Sequence, residues 1–202
     1  MKPLQDSFSH RGPEPEKSIL YLVCTPIGNI NDISDRAKKI LSNVSLIECE
    51  DTRTTGRLLK YLKISNKLIS LNDHNSKERV PFIISELNKG KAIALVSDAG
   101  MPLISDPGEL LVDKVIEANF EVITIPGPCA AITALACSGL RGSRFIFYGF
   151  LPKSGKERNE LIMSINNSRF TSIIYESPKR VCKLLLELKN LCGEKRMISI
   201  SR

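Results

Sequence analysis

The sequence lacks most of the features that identify membrane, secreted and metal-binding proteins. No apolar run approaches the roughly 20 residues of a membrane-spanning helix, and the N-terminal segment MKPLQDSFSHRGPEPEKS has no signal-peptide core. The chain contains two histidines, and its six cysteines form no Cys-x-x-Cys pair. We therefore predict a soluble cytoplasmic protein with reduced thiols, without a disulfide framework and without a bound metal.

Several nucleotide-binding and hydrolase motifs are also missing. The Gly-x-x-x-x-Gly-Lys-Ser/Thr motif of phosphate-binding loops does not occur, and Thr-Pro-Ile-Gly-Asn (25–29) stands where a Gly-x-Gly-x-x-Gly fingerprint would follow the first strand. The Gly-x-Ser-x-Gly elbow of α/β hydrolases is absent too. These absences argue against a nucleoside triphosphatase, an ordinary dinucleotide enzyme and a serine hydrolase.

The chain has little aromatic content, at 5% of its residues, but an excess of positive charge. Its formal net charge of +7 permits an anionic partner without demanding one, and the scarcity of aromatics does not favour a stacking platform for single strands. Basic residues cluster at Arg141, Arg144, Lys153, Lys156, Arg158, Lys179, Arg180 and Lys183. They form either an ordinary solvated surface or a contact surface for phosphates.

Short apolar runs alternate with amphipathic segments along the first 140 residues. The predicted strands are 19–24, 46–49, 67–71, 92–96 and 121–125, and a helix is predicted after each of them. This alternation predicts an α/β fold whose N-terminal domain, residues 18–140, has a mainly parallel five-stranded sheet with helices on its faces. Residues 1–17, rich in Pro, Glu and Ser, are predicted to be a disordered lead.

A second run of alternating strands and helices begins after residue 140. Its predicted elements are strand 145–150, helix 154–166, strand 171–175, helix 178–191 and strand 197–201. A three-stranded layer is small for an independent hydrophobic core. We therefore predict a second α/β domain, residues 141–202, that is truncated at its C-terminal end.

The segment 92–108, AIALVSDAGMPLISDPG, is the strongest candidate for part of a binding site. Its apolar start is typical of a strand buried on both faces, and a loop with two aspartates, two glycines and two prolines follows. Asp106-Pro107 has the residue types of a helix N-cap and first turn, which predicts a helix from Pro107. Loops 25–29 and 126–129, also rich in Pro and Gly, follow other strands, so a parallel sheet would bring all three to one edge.

The pocket expected at that edge offers rigid prolines, small residues and the carboxylate of Asp98. Since the phosphate-binding motifs are absent, these groups suit an adenosine-bearing ligand that lacks a pyrophosphate. Asp98 is the candidate polar contact to that ligand. The alternative role for Asp98 is hydrogen bonding within its own loop.

Six segments carry a resemblance to a known family, in this order: LVCTPIGNINDIS (22–34), ECEDTRTTGRLL (48–59), LNDHN (71–75), ALVSDAGMPLISDPG (94–108), IPGPCAAITAL (125–135) and YGFLP (148–152). The blocks E-D-T-R, S-D-A-G-x-P and P-G-P-C-A-A together are far more specific than any one of them. From about Ile19 to Arg202 the chain resembles the tetrapyrrole-methylase superfamily, and within it the branch that modifies small-subunit ribosomal RNA.

The resemblance implies two α/β domains that bind S-adenosylmethionine in the cleft between them. It also implies methyl transfer to the ribose 2′-oxygen of a cytidine in the decoding region of 16S rRNA, within the small ribosomal subunit. Members of the family are usually homodimers, and neither a metal nor a membrane is implied. The family's second domain continues past the position of Arg202, which agrees with the truncation predicted above.

The resemblance also assigns cofactor contacts to residues of the three Pro- and Gly-rich loops. These are Pro26, Asp98, Met101, Leu103, Ile104, Ser105, Cys129 and Ala130, with Phe150 and Tyr175 contributed by the second domain. Most of these contacts would come from backbone and small side chains. For Phe150 and Tyr175, a plain role in the hydrophobic core is an equal alternative.

Polar residues after the second and third strands are candidates for substrate contact and catalysis. Glu50, Asp51 and Arg53 follow the second strand, and His74 and Asn75 follow the third. Arg53 is a candidate phosphate contact, with Glu50 and Asn75 on the same sheet edge. Asp51 and His74 are candidate bases for the ribose proton. The alternative is a charge network that ties the loops together.

The second domain supplies three further candidates for RNA contact. Lys153 belongs to the basic cluster, and Glu176 and Arg180 follow the strand at 171–175. Two other functions stay open. The acceptor could be a tetrapyrrole precursor instead of RNA, or the chain could be a catalytically idle RNA-binding module.

Overall fold

The computed structural model describes residues 14–72 and 75–202, whose internal contacts divide them into two units. The first unit ends at Pro128, and the second comprises Cys129–Arg202. This division comes earlier in the chain than the boundary predicted between residues 140 and 141. The reason is that the helix Ala130–Cys137 packs on the strand Thr171–Tyr175 of the second unit.

The elements of the first unit alternate between strands and helices. They are β1 (Ile19–Val23), α1 (Asp35–Asn43), β2 (Leu46–Cys49), α2 (Thr52–Tyr61), β3 (Leu68–Ser70), α3 (Ser76–Asn88), β4 (Ile93–Val96), α4 (Glu109–Glu117) and β5 (Glu121–Ile125), with a short 3₁₀ turn at Ile30–Asp32. Side-chain caps start two of the helices. The Ser34 hydroxyl accepts a hydrogen bond from Ala37 N in α1, and the Asp51 carboxylate accepts one from Arg53 N in α2.

Within the described residues, the five strands of this unit form one parallel sheet in the order β3–β2–β4–β1–β5, which confirms the predicted sheet. Helices α1 and α2 cover one face, where Ile40 and Leu59 belong to the hydrophobic core. Helices α3 and α4 cover the other face, where Ile83 and Leu111 belong to a second core. Because all five strands run in the same direction, the loops after them leave from one edge of the sheet.

Helix α4 begins later than Asp106-Pro107 predicts. It starts at Glu109, and its N-cap is Gly108, whose φ of +127° lies in the range that favours glycine. A Cβ at Gly108 would lie 2.8 Å from Cδ2 of Leu95, so the core leaves no room for a larger residue. The Asp-Pro pair has the composition of a helix start, but it lies in the loop before the helix.

The second unit contains a two-stranded parallel sheet and three helices within its described residues. Its elements are α5 (Ala130–Cys137), β6 (Phe145–Phe150), α6 (Lys156–Asn167), β7 (Thr171–Tyr175) and α7 (Val181–Cys192). The strand predicted at 197–201 does not form, and Met197 is 75% exposed. Alternating apolar and polar residues make a strand only where a neighbouring strand accepts their backbone hydrogen bonds, and none of the described strands does so for 197–201.

Arg158 was expected in the basic surface cluster, but the structure buries it between α6 and α7. Its Nη2 lies 2.5 Å from Oε2 of Glu187, and its Nη1 donates a 2.8 Å hydrogen bond to the carbonyl of Pro152. The small core of this unit lies beside it and includes Leu151 and Ile162. Arg158 therefore holds two helices together and is not part of a surface for phosphates.

Part of the predicted disordered lead contacts the first unit. Glu14 forms an ion pair with Arg36 of α1, and the N–H of Glu16 donates a 2.8 Å hydrogen bond to the hydroxyl of Tyr21. Residues 1–13 of that lead lie outside the described residues. In the part of the chain that is described, no helix combines the length and the apolar character that crossing a bilayer requires.

Candidate functional site

The loops after β1 and β4 are joined by backbone hydrogen bonds at the carboxyl edge of the sheet. Thr25 N donates to Gly100 O at 2.9 Å, and Gly100 N donates to Thr25 O at 3.1 Å. The buried hydroxyl of Thr25 also donates to the carbonyl of Ser97 at 3.1 Å. Pro26 and Asp98, which follow Thr25 and Ser97 in the chain, are therefore held on neighbouring loops.

The loop after β5 approaches the same place. The Sγ of Cys24 lies 3.3 Å from the Sδ of Met101, which ties the end of β1 to the loop after β4. A Cβ on Gly127 would lie 2.6 Å from the Cβ of Cys24, so only glycine lets the β5 loop pass this close. The three Pro- and Gly-rich loops thus meet at one edge, as the parallel topology predicts.

The loop between Met101 and Asp106 has an unusual backbone. Leu103 and Ser105 have φ angles of +73° and +68°, a region that costs a residue with a Cβ about 1–2 kcal/mol. The side chain of Leu103 packs against the core under α4, whereas Ile104 and Ser105 are exposed. Backbone strain of this kind concentrates at ligand-binding sites, and here it presents two of the predicted cofactor residues to solvent.

Asp106 closes this loop as a half-buried carboxyl group. Its burial raises its pKa, and a hydrogen bond from Ser97 opposes that effect. The negative charge of Asp98 raises the pKa further. Asp106 is therefore bonded within the loop and belongs to its internal structure.

Asp98 is exposed and connects the β4 loop to the start of α2. The N–H of Asp51 donates a 3.3 Å hydrogen bond to Oδ1 of Asp98. Asp51 in turn caps α2 and pairs with Arg53, whose Nη2 lies 2.6 Å from Oδ2. The bonds from Arg53 lower the pKa of Asp51 to about 2, which makes this carboxylate a weak proton acceptor. Glu50, on the same turn, is exposed.

The turn between β3 and α3 is held by Asn75. Its Oδ1 accepts from Asn72 N at 2.9 Å, its Nδ2 donates to Ser70 O at 3.0 Å, and its N–H donates to Asn72 Oδ1 at 3.1 Å. Asn75 therefore uses its amide to shape the turn at the sheet edge. Asp73 and His74, the second of which is a candidate base, lie outside the described residues.

Glu48 is a titratable residue near this edge that the sequence patterns did not single out. It lies within β2 and is 0% exposed. Among residues 14–72 and 75–202, neither of its carboxylate oxygens has a hydrogen-bond partner. Burial raises the pKa of Glu48 to about 7, against an opposing effect from the positive charge of Arg79. The sequence does contain a sign of this residue, because Glu48 is a charged residue inside the apolar run L-I-E-C of β2.

In the second unit, the predicted cofactor residues lie close to one another. The hydroxyl of Tyr175 accepts a 3.1 Å hydrogen bond from Ala131 N, in the first turn of α5. Cys129 is the N-cap of that helix and Ala130 its first residue. The ring of Phe150 lies 5.5 Å from that of Tyr175 and is 54% exposed. The assignment of these residues to the cofactor stays a prediction.

The second-unit candidates for RNA contact differ in how exposed they are and in whether they are already ion-paired. Arg180 and Glu176 form an ion pair of 2.6 Å after β7, in which the Glu176 side chain is almost fully buried. This pair stabilises the turn into α7 and leaves little of the Glu176 charge accessible. Lys153, between β6 and α6, is exposed and has no ion pair among the described residues.

Comparison with known protein families identifies the family to which this chain belongs. The sequence profile of the family described as Tetrapyrrole (Corrin/Porphyrin) Methylases matches residues 19–202. The chain belongs to this family. Among the tetrapyrrole methylases, a solved structure with a similar fold is that of cobalt precorrin-4 methyltransferase, a cobalamin biosynthetic enzyme. It superposes with a TM-score of 0.67 at 16% identity, over 88% of this chain and 76% of that one. At that identity the likeness concerns the fold alone.

Within the tetrapyrrole methylases, this chain is similar in sequence to curated proteins that share one name. The chain is 46% identical over 184 residues to ribosomal RNA small subunit methyltransferase I of Vibrio cholerae, covering 91% of this chain and 64% of that protein. The protein of the same name from Thermotoga maritima is 45% identical over 178 residues, covering 88% of this chain and 80% of the relative. The chain thus spans slightly less than two thirds of the length of the Vibrio protein.

Proposed function

We propose that the protein transfers a methyl group from S-adenosylmethionine to the ribose 2′-oxygen of a cytidine in the decoding region of 16S rRNA, within the small ribosomal subunit. The observation that carries the proposal is the identity of 46% over 91% of the chain to a relative named ribosomal RNA small subunit methyltransferase I. The proposed active site is the carboxyl edge of the first unit's sheet, where the loops after β1, β4 and β5 meet.

The residues at this edge fit S-adenosylmethionine in kind. The exposed carboxylate of Asp98 can accept hydrogen bonds from ribose hydroxyls or from an ammonium group. Met101 and the exposed Ile104 offer apolar surface for an adenine ring, and Pro26 stiffens the facing loop. S-adenosylmethionine supplies an electrophilic methyl group when bound. We assign Asp98 to its polar groups and the two apolar side chains to its ring.

Methyl transfer from a sulfonium needs alignment, exclusion of water and removal of one proton. The hydrogen bonds between Thr25 and Gly100 fix the loops that would align the reactants. Asp51 and His74 are the two candidate proton acceptors, and Asp51 is the weaker base of the two because Arg53 lowers its pKa to about 2. A hydroxyl becomes strongly acidic as its oxygen gains a methyl group. A weak base that acts late is therefore sufficient.

Replacing Asp98 tests the position of the cofactor. Asp98→Ala is expected to weaken S-adenosylmethionine binding about tenfold to a hundredfold, because a hydrogen bond to a charged group contributes about 1.5–3 kcal/mol. Asp98→Asn keeps an oxygen that can accept from Asp51 N but removes the charge, so it separates the cofactor contact from the loop contact. Equilibrium dialysis with labelled S-adenosylmethionine measures both dissociation constants, and circular dichroism checks folding.

The matched control is Asp113→Ala, which removes an exposed aspartate from α4, away from the edge loops in the chain. We expect it to bind S-adenosylmethionine as the unsubstituted protein does. Unchanged affinity in both Asp98 variants, with native circular dichroism spectra, would contradict the placement of the cofactor at this edge.

A further inference from the structure

Helix α2 presents a basic and aromatic stripe to solvent. Thr55 and Leu59 form its buried side. Arg53, Arg57 and Tyr61 follow one another at four-residue spacing, so they lie along the opposite side of the helix, and all three are exposed. The stripe therefore combines two guanidinium groups with one phenol ring.

Tyr61 stands at the end of this stripe with most of its ring accessible. Its side chain is 64% exposed. Among residues 14–72 and 75–202 it has no ring contact and no side-chain hydrogen bond. An aromatic ring that is neither packed nor bonded contributes little to stability, but it is a ready surface for stacking on an unpaired base.

A recess of about 340 Å³ lies beside the stripe. Its lining includes Arg57 and Tyr61 from α2, Pro26, Gly28 and Ile30 from the region after β1, and Asp98 from the loop after β4. Small-molecule sites range from about 300 to 1,000 Å³, so this recess is of a size for one nucleoside. A Cβ at Gly28 would meet no atom within 4 Å, so the recess is open at that position.

The recess has a positively charged side chain that can bind the phosphate of a nucleotide. Arg53 is held by Asp51, whereas Arg57 has no carboxylate within ion-pair distance in the described part of the chain. Its guanidinium is therefore available for a phosphate, which it can bind through two parallel hydrogen bonds.

We propose that this recess binds one nucleotide of a single-stranded RNA segment, with its base stacked on Tyr61 and its phosphate bound by Arg57. The inference rests on the function proposed above and names residues that hold the RNA substrate. Asp98 lines the recess and is also the proposed cofactor contact, so a nucleotide bound here lies beside the group that anchors the methyl donor. Stacking and phosphate contacts together are the usual means of binding unpaired RNA.

The test is filter binding of the full chain to small ribosomal subunits that lack the modification, at several salt concentrations. Tyr61→Ala is expected to weaken subunit binding about tenfold, whereas Tyr61→Phe keeps the ring and stays within about twofold. Arg57→Ala is expected to weaken binding several-fold and to reduce the salt slope by about one, and Arg57→Lys should restore the slope. The dissociation constant for S-adenosylmethionine, measured separately by equilibrium dialysis, should not change.

Matched controls use exposed residues elsewhere. Phe170→Ala removes an exposed aromatic from the second unit, and Lys39→Ala removes an exposed cation from α1. Normal subunit binding by the Tyr61 and Arg57 alanine variants would overturn the inference and leave the proposed function intact. Weakened S-adenosylmethionine binding by Tyr61→Ala would overturn it by assigning the recess to the cofactor. Absence of subunit binding by the unsubstituted chain would overturn the proposed function together with the inference.

Discussion

Glu187→Ala is expected to lower the free energy of unfolding of the second unit by about 3–5 kcal/mol, because it leaves a buried guanidinium without its carboxylate. The side chain of Arg158 is 7% exposed, and its Nη2 lies 2.5 Å from Oε2 of Glu187. The carbonyl of Pro152, 2.8 Å from Nη1, is the acceptor that would remain. One neutral carbonyl cannot replace a carboxylate as the partner of a buried cation.

Chemical denaturation followed by far-ultraviolet circular dichroism measures this loss. Glu160→Ala is the matched control, because Glu160 forms an exposed pair with Lys156 at 3.6 Å on α6, and exposed pairs contribute about 0–1 kcal/mol. The double variant Arg158→Met/Glu187→Leu should recover most of the stability, since it removes the buried cation together with its partly exposed partner. If Glu187→Ala cost no more than Glu160→Ala, the ion pair would not be what holds α6 to α7.

Glu48→Gln is expected to raise the free energy of unfolding by about 3 kcal/mol at pH 8 while leaving it nearly unchanged at pH 4. Burial raises the pKa of folded Glu48 to about 7, whereas a carboxyl group in the unfolded chain titrates near 4.5. At a pH between these two pKa values, Glu48 has released its proton in the unfolded chain but retains it in the folded chain. The stability contributed by Glu48 therefore falls as the pH rises through this window and stays low above it. Glutamine has the same shape and no proton to lose.

Urea denaturation of both proteins at a series of pH values from 4 to 8.5 measures the difference. Subtracting the two curves isolates Glu48, because every other titrating group is common to both proteins. Glu78→Gln, at an exposed position on α3, is the matched control and should show a small difference at every pH. A Glu48→Gln difference that did not grow between pH 5 and pH 7.5 would contradict a buried, uncharged Glu48.

The strands were predictable to the residue where turn residues bound a short apolar run. β2, β5, β6 and β7 have the bounds that the sequence predicts. The segment 197–201 alternates in the same way but forms no strand, because alternation specifies the faces of a strand and not its neighbour. Pairing depends on parts of the chain that are distant in sequence, and no local pattern contains that information.

The first residues of helices were less predictable than strand bounds, because the conformation of the preceding loop determines which residue caps the helix. Asp106-Pro107 has the composition of a start, yet α4 begins after Gly108, whose positive φ turns the chain out of a strained loop. Helix α7 was predicted from residue 178 but begins at Val181, since Arg180 N and Ser177 O close a turn before it. The three-dimensional course of the preceding loop decided both positions.

For the candidate site, topology was predictable and ion pairing was not. A parallel sheet necessarily brings the loops at Pro26, Asp98 and Gly127 to one edge, and the structure has them there. The sequence does not say which charges will be paired with one another. Arg53 is held by Asp51, while Arg57, one turn further along α2, has no such partner among the described residues. That difference is why we propose Arg57 as a phosphate contact; the contact predicted for Arg53 stays a prediction.

The measurement that tests the proposed activity most directly is transfer of labelled methyl from S-adenosylmethionine to small ribosomal subunits that lack the modification. The chain is assayed beside a version extended to the length of its Vibrio relative, with free ribosomal RNA and a tetrapyrrole precursor as rival acceptors. We expect label in a nuclease-resistant 2′-O-methylated dinucleotide from the subunit's RNA. Label on the tetrapyrrole alone, or no label from the extended protein despite tight subunit binding, would contradict 2′-O-methylation of ribosomal RNA as the function.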